Sequence, residues 1–279
     1  MLLNISIVLY HPMWQQVVTL THSLLNYSRV HRIYWIDNSP TRTTELPLTS
    51  PKLHYIFNNQ NLGYGAAHNI AIRESIYDDI PFHLVINPDI IIAPDTIDVL
   101  MEVMQQQPLV GLISPKVLYP DGTLQHLCKL LPTPLDVFGR RFLPKKWMEK
   151  RNQRYEMRHS GYNHVMNVPY LSGCFMLMRT AALQRVKLFD ERFFMYPEDI
   201  DLTRRIHQHY LTLFFPYTSI IHNHAKASYH SPRMLWIHIV NMCRYFNKWG
   251  WFHDPERIQF NRNAQHQATS TIDISSTEH

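Results

Sequence analysis

No stretch of this 279-residue sequence approaches the roughly 18 consecutive apolar residues that a membrane-spanning helix needs. The opening MLLNISIVLYHP has neither a positive leading region nor a long apolar run, so it reads poorly as a secretory signal, and a cytoplasmic protein is expected. Cysteine is scarce. Cys128, Cys174 and Cys243 are odd in number and widely scattered, which suits reduced core thiols and argues against a disulfide framework or a zinc site. The phosphate-loop pattern GxxxxGK followed by Ser or Thr is missing, and so is the dinucleotide fingerprint GxGxxG, which ranks a nicotinamide-dependent oxidoreductase low. There is no internal repeat, and no nucleic-acid-binding motif accompanies the basic residues.

What is present suffices for a sizeable core, since 45% of the residues are hydrophobic and 12% aromatic. The net charge of +5 is concentrated. Between Lys129 and Arg158 nine basic residues face three acids, a local +6 that leaves the remainder at −1. This segment is interleaved with Leu130, Leu131, Leu135, Phe138, Phe142, Leu143 and Trp147, a composition suited to an anionic membrane surface, a phosphorylated acceptor, or simply a solvated face.

The first half alternates short apolar runs with amphipathic stretches, the pattern of strands joined by crossover helices. Strands are expected at Ile5–Tyr10, Ile33–Ile36, His54–Phe57, His83–Ile86, Val110–Ser114 and Leu211–Phe215. Helices are expected at Trp14–Leu25, Ala66–Tyr77, Pro94–Gln107, Thr180–Val186 and Ser231–Trp249. The tail from Asn261 is polar enough to be disordered. Open sheets of this type bind ligands at the carboxyl ends of their strands, where Asp37-Asn38-Ser39 and Asn87-Pro88-Asp89 fall.

Several motifs could carry chemistry. In Asn61-Leu-Gly-Tyr-Gly-Ala-Ala-His-Asn69 the glycines allow a tight turn and close approach of backbone to a ligand. Asp89, closing an apolar strand, could bind a divalent cation that neutralises a diphosphate. His222 and His224, two apart after an apolar run, could share a strand face. In FFMYPEDIDLTRR (193 to 205) Pro197 suits a first helical position and Glu198, Asp199 and Asp201 suit a first turn, so helix capping alone, with Asp201 and Arg205 as a surface pair, is a sufficient reading of that stretch in isolation.

Taken in order, IDNS (36 to 39), NLGYGAAHN (61 to 69), NPDI (87 to 90), PKVLYPDG (115 to 122), LSGCFMLMRTAAL (171 to 183), FDERFFMYPEDIDLTRR (189 to 205) and IIHNHAKAS (220 to 228) resemble glycosyltransferase family 2, and within it the bacterial rhamnosyltransferases. The similarity runs from about Ile5 to Tyr245. It implies an α/β GT-A fold, a Rossmann-like mixed sheet over residues 1–230 with a helical extension over 231–260, and an inverting transferase that uses a nucleotide-sugar donor with Mg2+ or Mn2+. Carried onto this chain, it implies that Tyr10 and Asp37 line the nucleobase pocket and that Gly63, Gly65 and Asn69 help to hold the nucleotide. Asn87 and Asp89 stand where the family has its DXD motif, with Asn87 replacing the first aspartate, so that Asp89, joined by His222, would carry the metal or diphosphate contact. Asp199 would be the general base and Glu198 an acceptor contact. The implied partners are dTDP-rhamnose or a UDP-sugar and a saccharide acceptor, lipid-linked or lipopolysaccharide-bound, with a peripheral contact to the cytoplasmic face of the inner membrane. A catalytically silent nucleotide-sugar-binding subunit is the rival from another class.

Overall fold

The computed structural model describes residues 1–223 and 232–267. In chain order the elements are β1 (Leu3–Leu9), α1 (Trp14–Leu25), β2 (Val30–Asp37), β3 (Leu53–Phe57), α2 (Tyr64–Tyr77), β4 (Phe82–Ile86), β5 (Ile90–Ile92), α3 (Thr96–Gln106) and β6 (Val110–Leu118). They continue with β7 (Cys128–Lys129), a π-helical turn (Leu135–Gly139) running into α4 (Arg140–Phe142), α5 (Lys145–Tyr155), β8 (Met166–Asn167), β9 (Tyr170–Leu171), β10 (Phe175–Arg179), α6 (Thr180–Val186), α7 (Glu198–His207), β11 (Leu211–His222), α8 (Pro232–Trp249) and α9 (Pro255–Gln267).

A nine-stranded mixed sheet runs in the order β3-β2-β1-β4-β10-β6-β11-β5, with β8 on the flank of β11. The first four of these strands are parallel, and β10 enters antiparallel between β4 and β6. That insertion positions the site. It carries the turn Ser172-Gly173-Cys174 to the carboxyl end of β4, where the amide of Asn87 donates to the Cys174 carbonyl at 3.0 Å.

Central strands covered on both faces by helices must be apolar nearly throughout. β4 is buried at every position, and Leu3, Ile5, Ile7 and Leu9 of β1 interlock with Val17, Leu20 and Leu24 of α1. The polar exceptions on this floor are held by serine hydroxyls, with only His68 Nε2 of the two imidazoles left without a partner. Ser6 Oγ lies 2.6 Å from His68 Nδ1 and 2.8 Å from His83 Nε2, and Ser75 Oγ lies 2.7 Å from His83 Nδ1. Burial drives both imidazoles down, His83 to about 3, so they are neutral core groups.

The last two helices belong to this body. Met242, Tyr245 and Phe246 of α8 share a buried cluster with Leu131, Tyr170, Phe193 and Ile200. The expected disorder from Asn261 is corrected over 261–267, which complete α9; the Asn261 side chain exchanges hydrogen bonds with the backbone of Leu131 at 2.7 and 2.9 Å. Residues 268–279, the remainder of that expectation, lie outside the described residues, as does His224. Cys128 and Cys174 are buried free thiols, as read from the sequence, whereas Cys243 is free but only half-buried. Among the described residues no helix is long and apolar enough to cross a membrane.

The basic segment is not a simple cationic face. Arg140 and Arg158 pair with Glu156, whose carboxyl they hold below its ordinary value against the cost of burial, and Arg151 pairs with Asp136 at 2.6 Å. Phe142 and Trp147 nevertheless stand exposed.

Candidate active site

Two groups of side chains meet at the carboxyl edge of the parallel strands. The first grows from β1, β2 and the start of α2. Tyr10, just past β1, is 54% exposed and edge-on to His11 at 4.5 Å between ring centres, an open aromatic surface. Asp37 ends β2 fully buried, with Oδ1 accepting from the Ser39 amide at 2.8 Å and Oδ2 from the Tyr55 hydroxyl at 2.7 Å. Asn38 ties the following turn together, donating to Asn61 Oδ1 and the Gly63 carbonyl and accepting from Asn58.

Gly63 has φ of 87°, and a Cβ there would collide with the Phe194 carbonyl oxygen; the same carbonyl accepts from the Tyr64 amide at 3.0 Å. The glycine thus lets the 192–197 loop close over the start of α2. Gly65 lies against Phe189, and Asn69 is braced by the same region, with Nδ2 donating to the Phe189 carbonyl and to Glu191 at 2.9 Å each and Oδ1 accepting from the Phe189 amide. Gly65 and Asn69 therefore brace this wall through Phe189 and Glu191.

Asp89 and His222 are brought together from β4 and β11 by the pairing of β5 with the end of β11, leaving Asp89 Oδ1 3.4 Å from His222 Nε2. Burial opposes charge on His222, but Asp89 and the Cys174 thiol outweigh it and raise the imidazole to about 10. Among the described residues no cluster of three or more metal-type side chains stands together.

The second group sits at the start of α7. Glu198 and Asp199 are both buried in the first turn, behind Tyr196, whose φ of 91° is unusual for a residue with a side chain. Capping and placement coincide: Asp199 Oδ1 accepts from the Ile200 amide at 2.8 Å, while Oδ2 reaches across to the Gly173 amide at 2.9 Å. Burial pushes the Asp199 carboxyl up to about 6, with the Gly173 hydrogen bond and the positive charge of Lys129 opposing the rise. Glu198 is driven well above the carboxylate range by burial and by its charged neighbour, and its Oε2 has no protein hydrogen-bond partner. Asp201, expected in a surface pair, is instead wholly buried, held by Arg205 at 2.8 Å, Lys248 at 2.6 Å and the Trp249 indole at 2.8 Å.

Tyr64 joins the two groups. Its hydroxyl lies 2.7 Å from the Gly173 carbonyl and 3.0 Å from Asn87 Oδ1, so one turn is gripped by Asp199 through its amide and by Tyr64 through its carbonyl. Burial, with the acidic groups of Cys174, Glu198, Asp199 and Asp89 around it, keeps the phenol protonated. Tyr55 lies in an expected strand and Lys129 in the basic segment, neither in a motif that assigns it a role; Tyr64 and Gly173 lie within NLGYGAAHN and LSGCFMLMRTAAL, but the resemblance pointed to Gly63, Gly65 and Asn69 in the first and to no residue in the second.

Known proteins share both the sequence pattern and the fold of this chain. The family described as glycosyltransferase like family 2 matches residues 19–247. The N-acetylglucosaminyl-diphospho-decaprenol L-rhamnosyltransferase of Mycobacterium tuberculosis is 29% identical over 199 residues, which cover 65% of this chain and 62% of that protein. Rhamnosyltransferase WbbL of Escherichia coli K12 is 35% identical over 103 residues, 34% of each chain. The chain thus spans about three-fifths of the mycobacterial relative and about a third of the other. Among solved structures, the mannosyltransferase PcManGT of Pyrobaculum calidifontis, in complex with GDP-Man and Mn2+, superposes with a TM-score of 0.55 at 14% identity, over 98% of this chain and 77% of that one. The mixed sheet with its inserted antiparallel strand is the GT-A fold, and the chain belongs to glycosyltransferase family 2.

Proposed function

We propose that this protein is an inverting glycosyltransferase that moves L-rhamnose from dTDP-rhamnose to a hydroxyl of a lipid-linked or lipopolysaccharide-bound saccharide acceptor in bacterial surface-polysaccharide assembly. The single observation that carries the reading is the placement of Asp199: a buried carboxyl raised to about 6, linked through Gly173 and Tyr64 to the strand end that bears Asn87 and Asp89. The rhamnosyl preference is supported by the two rhamnosyltransferases to which this chain is similar in sequence.

In this reading Tyr10 offers the face on which the base stacks, and Asp37 meets the ring imide by sharing or replacing the Tyr55 hydroxyl. The 192–197 loop, held against Gly63 and Tyr64, walls the sugar from water. Asp199, ionised near neutral pH, takes the proton of the acceptor hydroxyl as its oxygen attacks the anomeric carbon. Glu198 keeps its own proton and donates to the acceptor through a carboxyl that has room for one more hydrogen bond.

Asp89 would hold Mg2+ or Mn2+ with donor phosphates and water completing the shell, and His222 would join it only by giving up the proton that it otherwise shares with Asp89. A cation bound there would neutralise the departing diphosphate. Asn87 spends its oxygen on Tyr64 and so positions that phenol.

The reading is tested by incubating purified protein with Mn2+ and a panel of nucleotide sugars that includes dTDP-rhamnose and UDP-hexoses. Transfer, or slow hydrolysis of one donor, is expected. Tight nucleotide binding with neither would favour the silent subunit, for which Asn87 in place of an aspartate is the supporting feature; preference for a UDP-sugar would move the donor to another hexose.

A further inference from the structure

On the far side of the 192–197 loop from Tyr64 lies a cavity of about 420 Å³ lined by Arg192, Phe193, Arg244, Asn247 and Lys248. Its cations exceed its anions. Arg192 grips Asp190 with two hydrogen bonds of 2.9 and 2.6 Å, and Lys248 bridges Asp190 at 2.9 Å and Asp201 at 2.6 Å. Asp201 is already matched by Arg205 at 2.8 Å. Arg244 spends its Nη1 on neutral acceptors, the Arg192 carbonyl at 2.8 Å and Asn241 Oδ1 at 3.2 Å. Four cations therefore surround two carboxylates.

The cavity is coupled to the catalytic loop. Asn241 Nδ2 donates to the Met195 carbonyl at 3.0 Å, Lys248 holds Asp201 two residues beyond Asp199, and Tyr196 stands edge-on to His238 of α8 at 4.8 Å. Towards its start α8 turns apolar, with Leu235, Ile237, Ile239 and Val240 half-exposed and Trp236 67% exposed.

We infer that this cavity binds a phosphate or diphosphate group of the acceptor, held by Arg192, Arg244 and Lys248, with the apolar start of α8 beside it for an attached lipid. The inference rests on the transferase reading for the word acceptor, but the anion site stands on its own geometry. A donor diphosphate is not the intended occupant, because that group belongs across the loop, near Asp89. Paired guanidinium groups are suited to recognising phosphate oxygens.

The test is calorimetric titration of the full chain with farnesyl diphosphate, inorganic pyrophosphate and farnesol, each with and without saturating dTDP and Mn2+. The variants are Arg244→Gln and Arg192→Gln/Arg244→Gln. Lys248 is left intact because it neutralises the buried Asp201, and melting temperatures check that the variants are folded. Farnesyl diphosphate should bind in the presence of dTDP, and each lost guanidinium should weaken it on the order of tenfold without changing dTDP affinity. Pyrophosphate binding as tightly as farnesyl diphosphate supports the site and makes a soluble phosphate its source; pyrophosphate much weaker supports it and makes a lipid-linked one the source. Displacement by dTDP, equal binding of farnesol, or unchanged affinity in the double variant overturns the inference. If dTDP fails to bind while arginine-dependent diphosphate binding persists, the nucleotide reading fails and the anion site survives.

Discussion

The two halves of the site bury ionisable groups of opposite kind. Beneath the half that we read as the nucleotide site lie His68 and His83, which burial keeps neutral and which serine hydroxyls hold, His83 through both ring nitrogens and His68 through Nδ1 alone; in the half that we read as the acceptor site lie Glu198 and Asp199, which burial pushes towards protonation. A neutral imidazole locked under the sheet is scaffold even with one ring nitrogen unpaired, whereas a carboxyl oxygen without a partner beside the strand ends has capacity to spare for a substrate. On the proposed reading, the difference separates a floor that must not move from a wall that must react.

The sharpest way to break this contrast is Asp199→Asn. Transfer should fall on the order of 10²- to 10⁴-fold, the usual contribution of a general base, while nucleotide affinity stays near that of the parent. Weakened donor binding with near-normal turnover, measured by initial rates and titration with dTDP, would place Asp199 in the other half.

Next in size is Asp89→Ala, which should weaken donor binding at least roughly tenfold and remove stimulation by Mn2+, with the acid limb of the pH profile unmoved. Unchanged donor affinity and an unchanged metal response would detach Asp89 from the nucleotide half.

Much of the fold and the carboxylates of the candidate site were legible in the sequence, the histidine floor was not, and the gaps have physical causes. Trp14–Leu25 and Thr180–Val186 form the expected helices because their apolar periodicity and flanking residues agree. Ile90–Ile92 was missed as a strand because three residues give no periodicity. β11 was expected to stop at Phe215, where Pro216 follows; the strand instead bulges, its register on β6 slipping between Phe215 and Ser219, and resumes to deliver His222. The polar residues from Asn261 read as disorder, yet 261–267 complete α9, whose start is anchored by the bidentate Arg204–Asp254 pair at 2.7 Å and by Arg257. Asp37, Asp89, Glu198 and Asp199 announce themselves as carboxylates at strand ends or a helix start. Tyr64 and Lys129 acquire their positions only when distant segments meet, and no local pattern encodes that.

The contrast also has a sign in pH. A histidine whose folded value is depressed, such as His83 at about 3, contributes stability that is complete above about 6.5 and is lost as pH falls. Asp199, raised to about 6, does the reverse: its contribution is present below its unfolded value near 3.8 and is lost as pH rises through 6. Asp199→Asn should therefore gain thermal stability relative to the parent as pH increases from 4 to 8, the inactive variant becoming the steadier protein. A melting-temperature difference that does not vary with pH would mean that Asp199 titrates at its ordinary value.

The finest test concerns Lys129, which reaches the acceptor half from β7 with its ammonium 5.3 Å from the ring centre of Tyr170. Burial lowers the Lys129 value, yet its charge is among the forces that hold Asp199 down. Removing that charge with Lys129→Met keeps the apolar stem and should move the acid limb of the transfer rate upward from about 6, because an isolated carboxylate ionises less readily. The maximal rate at pH 9, where the base is ionised in either protein, should change little. A uniform loss at every pH would make Lys129 a support for the β7–β9 pair, whereas an acid limb that moves alone would tie the basic segment, so prominent in composition, to the chemistry through a single buried ammonium.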